Sequence, residues 1–154
     1  MTTQIQVKRA TSADIGPVLT LMHDFYAESG FVLNHESTAT ALQFLLSSPS
    51  LGGIWLAYAN NVAIGHAVLA VRFTMEHEGL SGYIDDLYVQ PQHRRLGVGR
   101  ALLDDLFAEC RARRCKALHV EVGKSNVAAL ALYAKLGLHG ATDGRILASG
   151  AVPG

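Results

Sequence analysis

Apolar residues recur along the chain with two different periods, and the change of period separates helices from strands. Ile5 to Ala10 alternates in polarity, which is typical of a strand. Thr11, with Asp14 three residues later, is placed to cap a following helix. The apolar positions of that helix are Ile15, Val18, Leu19, Met22, Phe25 and Tyr26. A second helix is predicted from Ser37 to Leu46, ending before Pro49.

The middle of the chain has the pattern of antiparallel strands. Ile54 to Ala59 and Val62 to Phe73 are rich in β-forming residues. Asn60-Asn61 joins them and is a strong hairpin turn. The glycines of segment 79–82 predict another turn, and Tyr83 to Val89 follows as a strand.

Helical spacing returns in the last third of the chain. We predict a helix from about Gly97 to Arg113, a strand from Ala117 to Val122, and a helix from about Asn126 to Leu136 that Gly137 caps. A terminal hairpin around Asp143-Gly144 has the weakest signal. The order β-α-α-β-β-β-α-β-α-(β-β) indicates a single α+β domain over residues 1–154, with antiparallel strands first and a β-α-β unit later.

Composition excludes several classes of function. Thirteen basic and thirteen acidic residues cancel, so the 154-residue chain has no global field to hold nucleic acid or an anionic membrane. From its residues we expect neither a signal peptide nor a membrane-spanning run. Cys110 and Cys115 form no disulfide or zinc pattern, and the seven histidines are scattered. We therefore expect a cytoplasmic protein without a metal centre.

A basic loop with paired glycines follows the strand that Pro91 ends. The segment Arg94-Arg95-Leu96-Gly97-Val98-Gly99 leads into an amphipathic helix. Free N–H groups at a helix start, with glycines that allow close approach, favour a bound phosphate group. Read alone, the loop could also be a plain βα turn with surface arginines. A nucleotide P-loop is disfavoured because no Gly-Lys-Ser/Thr follows, and a dinucleotide fingerprint lacks its third glycine.

The loop and its flanks together resemble the acetyl-CoA motif of the GNAT superfamily of N-acetyltransferases. Leu87-Tyr88-Val89-x-Pro91 precedes the pattern Arg94-x-x-Gly97-x-Gly99, and Ala101-Leu102-Leu103 follows it. The resemblance implies a mixed, mostly antiparallel sheet of six to seven strands flanked by about four helices, with acetyl-CoA as co-substrate and no metal. It implies that the acetyl and pantetheine parts contact Leu87, Tyr88 and Val89, and that the pyrophosphate contacts Arg94, Arg95, Leu96, Gly97, Val98, Gly99 and Arg100.

A second block, Asn126 to Leu138, resembles the next motif of the same family. Tyr133 in this block could simply be a core aromatic residue, whereas the resemblance implies that it donates a proton to the departing thiolate. Asn126 could be only a helix cap, with Ser125 as its rival, and the resemblance adds a contact with the cofactor. Both alternatives stay open at the level of sequence.

An acetyl acceptor must lose a proton before it attacks, because an amine with a pKa near 10.4 is mostly ammonium at neutral pH. Asp85 resembles the acidic residue that many family members carry on this strand, and a count back from Val89 places it on the face of Tyr83 and Leu87. We expect Asp85 to act as the base, directly or through water. Glu121 is a second candidate, and a solvated strand carboxylate is the structural alternative.

The expected reaction moves the acetyl group directly from acetyl-CoA to a primary amine of a small molecule, such as a polyamine, an amino acid or an aminoglycoside. Protein N-termini or lysines are the alternative acceptors, and a non-catalytic acyl-CoA-binding protein is a third hypothesis. The resemblance also allows a homodimer. Residues that could form an acidic wall for the amine are His23, Asp24, Tyr26, Glu28, Glu36 and Asp85.

Overall fold

A computed structural model describes residues 3–140, 144–145 and 147–153. Contacts divide the chain into two compact units, residues 1–121 and residues 122–154. The first unit contains the sheet and three of the four described helices, and the second contains the fourth helix.

The first unit is built on one five-stranded sheet whose strand order follows the chain. Neighbouring strands are antiparallel except the last pair, β4 and β5, which is parallel. The strands are β1 (Ile5–Arg9), β2 (Gly52–Ala59), β3 (Val62–Thr74), β4 (Gly79–Val89) and β5 (Ala117–Val120).

Helices follow the predicted order with small shifts at their ends. They are α1 (Ile15–Glu28), α2 (His35–Leu46), α3 (Val98–Ala112) and α4 (Val127–Lys135). A short 3₁₀ turn precedes α1, and the Thr11 side chain and Asp14 form a capping box there. Asn34 caps α2 by accepting a hydrogen bond from the Ser37 amide at 3.0 Å. The α+β class of the fold is therefore as predicted.

Two layers of apolar side chains cover the sheet. Helices α1 and α2 pack on one face, where Leu21, Leu42 and Val68 belong to one buried cluster. Helix α3 packs on the sheet through residues that are fully buried, Leu102, Leu103 and Leu106. A Cβ atom at Gly65 would lie 3.4 Å from the Leu102 side chain. Because Gly65 and Val68 are three residues apart in β3, these two layers lie on opposite faces.

The structure corrects three predictions of secondary structure. Residues 79–82 belong to β4 and not to a turn, because the β3–β4 ladder extends to the pair Thr74–Gly79. The turn lies at residues 75–78, and Glu78 has a positive φ of 55°. The strand predicted from Ala117 to Val122 ends at Val120. The described residues contain five strands rather than six or seven, and Asp143 of the predicted hairpin lies outside them.

Candidate active site

A β-bulge interrupts β4 at Asp85. Asp86 pairs with Val68 of β3, and Ile84 pairs with the next β3 residue, Leu69. Two residues of β4 therefore advance for one residue of β3, and Asp85 is the extra residue between them. Because Val68 and Leu69 face opposite sides of the sheet, Ile84 and Asp86 also do. The simple alternation counted back from Val89 is therefore broken at Asp85.

The bulge adjoins a place where β4 loses a neighbour. The parallel pairing of β4 with β5 covers Ser81 to Ile84 and ends with the pair Ile84–Val120. Residues 85–89 of β4 have no partner in β5, although β4 continues to Val89. This edge of β4, residues 85–89, is called the free β4 edge below. Its backbone groups can pair with an extended ligand in the way that a strand pairs with its neighbour.

The predicted phosphate loop leads from the free β4 edge to the start of α3. Gly97 is the cap residue of α3 and adopts the left-handed conformation, with φ 82° and ψ 9°. It offers no side chain, and no other side chain caps this end of the helix in the described structure. A Cβ atom at Gly97 would meet nothing within 4 Å. The first amides of α3 thus face open space without a protein acceptor, as an anion site requires.

Two arginines of the loop and one in the first turn of α3 have different surroundings. Arg94 donates hydrogen bonds to the Val89 carbonyl at 2.8 Å and to the Glu28 carboxylate at 2.7 and 2.9 Å. Arg95 has a positive φ of 65°, which turns the chain just before Gly97. Arg100 pairs with Asp104 one helical turn later, at 2.9 Å. Arg94 therefore fixes the loop against α1 and β4, while the loop backbone stays open to a ligand.

Side chains of β4 beyond the bulge differ in their exposure. Tyr88 is buried, with its ring centroid 5.4 Å from that of Phe25 and 5.7 Å from the Arg94 guanidinium carbon. Leu87 and Val89 are half-buried. The Tyr88 ring is thus part of the core beneath α1, and this residue can meet a ligand on the free β4 edge only through its backbone.

Three carboxylates gather around the bulge: Asp85, Asp86 and Glu121. Asp85 is exposed, yet partial withdrawal from water and the nearby charges of Asp86 and Glu121 raise its pKa above the ordinary value. Burial and the interaction with Glu121 raise the pKa of the Tyr83 hydroxyl to about 12. This group of like charges attracts a cation.

Asp86 is the buried member of this group, and it lies close to two further polar side chains. The Tyr26 hydroxyl of α1 lies 3.4 Å from both Asp86 carboxylate oxygens. His66 of β3 is fully buried, and its Nε2 lies 3.6 Å from Oδ2 of Asp86. Neither ring nitrogen of His66 has a hydrogen-bond partner in the described structure. The sequence analysis missed His66, although a polar residue at the centre of the apolar β3 run was a usable signal.

The predicted acidic wall is only partly assembled. Tyr26 and Asp85 both belong to the surroundings of the bulge, since Asp85 contributes to the raised pKa of Tyr26. Glu28 is paired with Arg94 instead, and Asp24 contacts His23 at 3.3 Å. Glu36 lies in the first turn of α2. Asp86, which was left out of the predicted wall, is the carboxylate nearest to Tyr26.

The second unit carries the other predicted site residues. Asn126 caps α4 through a hydrogen bond that its side chain accepts from the Ala129 amide at 3.1 Å. Tyr133 lies in α4 and is buried, and burial raises the pKa of its hydroxyl to about 12. Its proton is therefore retained throughout the neutral range. Gly137 ends the helix with a positive φ of 83°.

Within residues 3–140, 144–145 and 147–153, no group of three or more histidine, cysteine, aspartate or glutamate side chains is arranged to hold a metal ion. No helix in these ranges is both long enough and apolar enough to cross a membrane.

Comparison with known proteins assigns the family. Residues 19–138 match the model of the acetyltransferase (GNAT) family, which is more than half of the chain. This chain belongs to the GNAT family. The same residues include the free β4 edge, the loop at Gly97 and helix α4.

Individual relatives of this GNAT protein agree with that assignment. An integron cassette protein from the mobile metagenome of Cole Harbour Salt Marsh is 34% identical, with a TM-score of 0.85 over 97% of this chain and 91% of that one. A predicted acetyltransferase with acetyl-CoA from Clostridium acetobutylicum has the same fold, with a TM-score of 0.78 at 22% identity over 94% of this chain and 96% of that one. The family and the fold are thereby confirmed.

A curated relative covers a smaller part of the GNAT protein. The [ribosomal protein bS18]-alanine N-acetyltransferase of Escherichia coli (strain K12) is 46% identical over 57 residues. The match spans 37% of this chain and 38% of that relative. It therefore covers well under half of either protein.

Proposed function

We propose that this protein transfers the acetyl group of acetyl-CoA directly to the primary amine of a small cationic molecule. The observation that carries the proposal is the free β4 edge, which runs from the carboxylates at the bulge to the uncapped start of α3. We infer that this one edge offers a site for an extended ligand arm, a site for an anion and a site for a cation. Acetyl-CoA and an ammonium-bearing acceptor meet these three requirements together.

The geometry of the loop supports the proposal that acetyl-CoA is the donor. The amides of Val98, Gly99 and Arg100 form the first turn of α3, where the helix dipole favours the negative charge of a pyrophosphate. Leu87, Tyr88 and Val89 would pair with the pantetheine arm through their backbone groups. Leu96 and Arg95 belong to the same loop, and Asn126, the cap residue of α4, is a further proposed contact with the cofactor. Acetyl-CoA supplies a thioester when bound.

The carboxylates at the bulge are proposed to deprotonate the acceptor amine. An ammonium group attracted there must release one proton before its nitrogen can attack. Asp85 is the proposed base because it is exposed and has no pairing partner in β3. Its raised pKa also makes it a stronger proton acceptor than an ordinary aspartate. Glu121 is the second candidate. The ammonium group first gives one proton to Asp85, which passes it to solvent. The N–C bond then forms as the C–S bond breaks, Asp85 takes the second proton from the attacking nitrogen, and the departing sulfur is protonated, so that one proton is released overall.

Tyr133 is proposed to assist the departing sulfur. Its high pKa keeps the hydroxyl protonated at neutral pH, so it is available as a donor. The proton that the sulfur receives from Tyr133 is restored from solvent after product release. No cysteine is needed as a nucleophile, and burial raises the pKa of the Cys110 thiol to about 12, which disfavours its reactive thiolate.

A protein α-amine is the second candidate acceptor. It is favoured by the local similarity to an enzyme named for acetylating alanine of a ribosomal protein. The two candidates share the same chemistry at the nitrogen and differ in what extends from it.

The test is an acceptor panel with the purified full chain and acetyl-CoA, read as thiol release and product mass. Spermidine, amino acids, an aminoglycoside and a peptide with amino-terminal alanine form its arms. We expect turnover of at least one small amine, and a strong loss of turnover for Asp85→Asn but not for Asp105→Asn. Turnover of the peptide alone would support the second candidate. Stabilisation of the fold by acetyl-CoA with no thiol release on any arm would instead identify a non-catalytic binder.

A further inference from the structure

An apolar cleft lies at the carboxyl end of α1, and no part of the proposed reaction uses it. It has a volume of about 340 Å³, at the lower end of the usual range for small-molecule pockets. The residues that line it are Phe25, Tyr26, Ser29, Phe31, Val32 and Leu33. This set of residues is called the apolar cleft below.

The loop that forms the cleft is held in place by its backbone. Gly30 takes a left-handed conformation with φ 79°, and the Phe31 amide donates a hydrogen bond to the Tyr26 carbonyl at 2.9 Å. Leu33 packs against the core, and Asn34 caps α2. The loop is therefore fixed at both ends.

Between these fixed ends, the loop exposes two large apolar side chains. Phe31 is 67% exposed and Val32 is 97% exposed. A neighbouring pair of such residues on an ordered loop is typical of a surface that a ligand covers. Because the backbone is already ordered, a ligand that covers these residues loses little affinity to ordering the loop.

Tyr26 connects the apolar cleft to the carboxylates of the proposed acceptor site. Its ring lines the cleft, while its hydroxyl lies 3.4 Å from the Asp86 carboxylate. Burial, followed by the charges of Asp86 and Asp85, raises the pKa of this hydroxyl to about 12. An apolar surface and a negative charge are thus separated by the length of one side chain.

We propose that the acceptor is an amphipathic primary amine, whose ammonium group lies at Asp85 and Asp86 and whose alkyl or aryl arm occupies the apolar cleft. This inference rests on the proposed function and narrows its acceptor class. Charge complementarity selects the ammonium end. The apolar lining disfavours a second charge on the arm, because a charge that enters the cleft loses its water. Linear polyamines are therefore disfavoured relative to monoamines of the same length.

The test compares hexylamine with 1,6-diaminohexane, which have the same length and differ in the charge at the far end. We expect kcat/KM for hexylamine to be at least about tenfold higher, and to rise roughly fourfold per added methylene from ethylamine to hexylamine. Equal or better use of the diamine would overturn the inference while leaving the acetyl transfer itself intact.

A variant pair locates the preference in the cleft. Phe31→Ser should lower the ratio of kcat/KM for hexylamine to that for ethylamine by about tenfold. Phe44→Ser is the matched control, because Phe44 is 66% exposed on α2 and does not line the cleft, and it should keep the ratio. If Phe31→Ser leaves the ratio unchanged and converts a dimer to a monomer, the cleft is a contact between two copies and the inference is wrong.

Binding provides a readout that does not need turnover. In an NMR titration of the full chain with hexylamine, we expect amide shifts at residues 29–33 that Phe31→Ser weakens. If these shifts occur without acetyl transfer, the proposed function fails and the cleft assignment stands. If hexylamine causes neither turnover nor shifts, the assignment is wrong.

Discussion

At the scale of single residues, Asp85 and Asp86 are neighbours in sequence with different environments. Asp85 is exposed at the bulge, whereas Asp86 is buried against Tyr26 and His66. Their proximity raises the pKa of Asp85, after the larger effect of partial burial. Asp86 therefore influences the proposed base through its charge.

Asp86→Asn should move the acid limb of the pH profile to lower pH. Activity should fall as Asp85, the proposed base, becomes protonated, and removal of a neighbouring negative charge should lower the pKa at which this happens. The measurement is kcat/KM against pH, and Asp105→Asn, on the exposed face of α3, should leave the limb in place. If Glu121→Gln abolishes the limb while Asp85→Asn keeps it, then Glu121 is the base.

Tyr133→Phe should slow the enzyme without abolishing it. A thiolate whose conjugate acid has a pKa near 8.5 leaves at pH 7 with a proton deficit of about 2 kcal/mol, so the largest expected loss in kcat is roughly 30-fold. Single-turnover rates measure the loss, and the thermal midpoint checks the fold. A loss of several thousandfold would indicate that Tyr133 does more than assist the departing sulfur.

Sequence reasoning found the residues whose chemistry is visible in their type and spacing, and it missed His66. Asp85 and Tyr133 were predicted by resemblance to a family pattern, and their roles stay predictions. His66 was overlooked because its contact with Asp86 comes from pairing across strands, His66 with Tyr88 and Val68 with Asp86. Such a contact joins residues that are far apart in sequence, so no local pattern reports it.

At the scale of elements, the start of α3 combines a backbone requirement with a binding requirement. Gly97 needs its positive φ of 82°, and open space surrounds the position where a Cβ atom would lie. A side chain there would both strain the turn and enter the space proposed for the pyrophosphate.

Gly97→Ala should therefore raise the KM for acetyl-CoA as well as lower stability by about 1 kcal/mol. Gly30→Ala is the matched control, because Gly30 also has a positive φ, 79°, and open space around it. It should cost similar stability, measured by chemical unfolding, and leave the KM for acetyl-CoA unchanged. Equal effects of both variants on that KM would contradict the proposed phosphate site.

Element boundaries were predictable where a local signal fixes them. Asn60 and Asn61 adopt positive φ values of 50° and 63°, which is the hairpin geometry that their sequence predicts. Gly82 does not mark the predicted turn, and its small size serves packing instead: a Cβ atom there would lie 2.9 Å from the Cys110 sulfur. The bulge at Asp85 left no sequence signal, since it depends on the register with β3.

At the scale of the whole molecule, the two cysteines differ in their access to reagents. Cys110 is buried in α3, and burial raises the pKa of its thiol to about 12. Cys115 is half-buried. Alkylation of Cys110 therefore requires the first unit to open, because α3 packs directly on the sheet.

Iodoacetamide should modify Cys115 first and Cys110 only after global unfolding. In Cys115→Ser, the slow alkylation of Cys110, followed by mass spectrometry, should be slowed further by acetyl-CoA by a factor of about 1 + [L]/Kd. Rapid alkylation of both thiols in the folded protein would show that the packing of α3 on the sheet is less stable than its burial suggests.

The family and the overall fold could be recognised from sequence because the acetyl-CoA motif is local and extended. The acceptor could not, because its proposed site combines α1, the loop at residues 29–34, β3 and β4, whose relative positions depend on packing. Cell location and oligomeric state stay predictions, because neither has a local pattern in this chain.

The bulge in β4 also has a consequence for how activity can be lost. Asp85 is the one residue that the ladder with β3 does not need, because Ile84 and Asp86 already face the sides that Leu69 and Val68 require. Deletion of Asp85 would remove the bulge and restore regular pairing between β3 and β4. The shortened chain should therefore melt at a higher temperature than Asp85→Ala while being equally inactive. A sheet that becomes more regular as its chemistry disappears gives such a lineage an easy route from enzyme to inert scaffold.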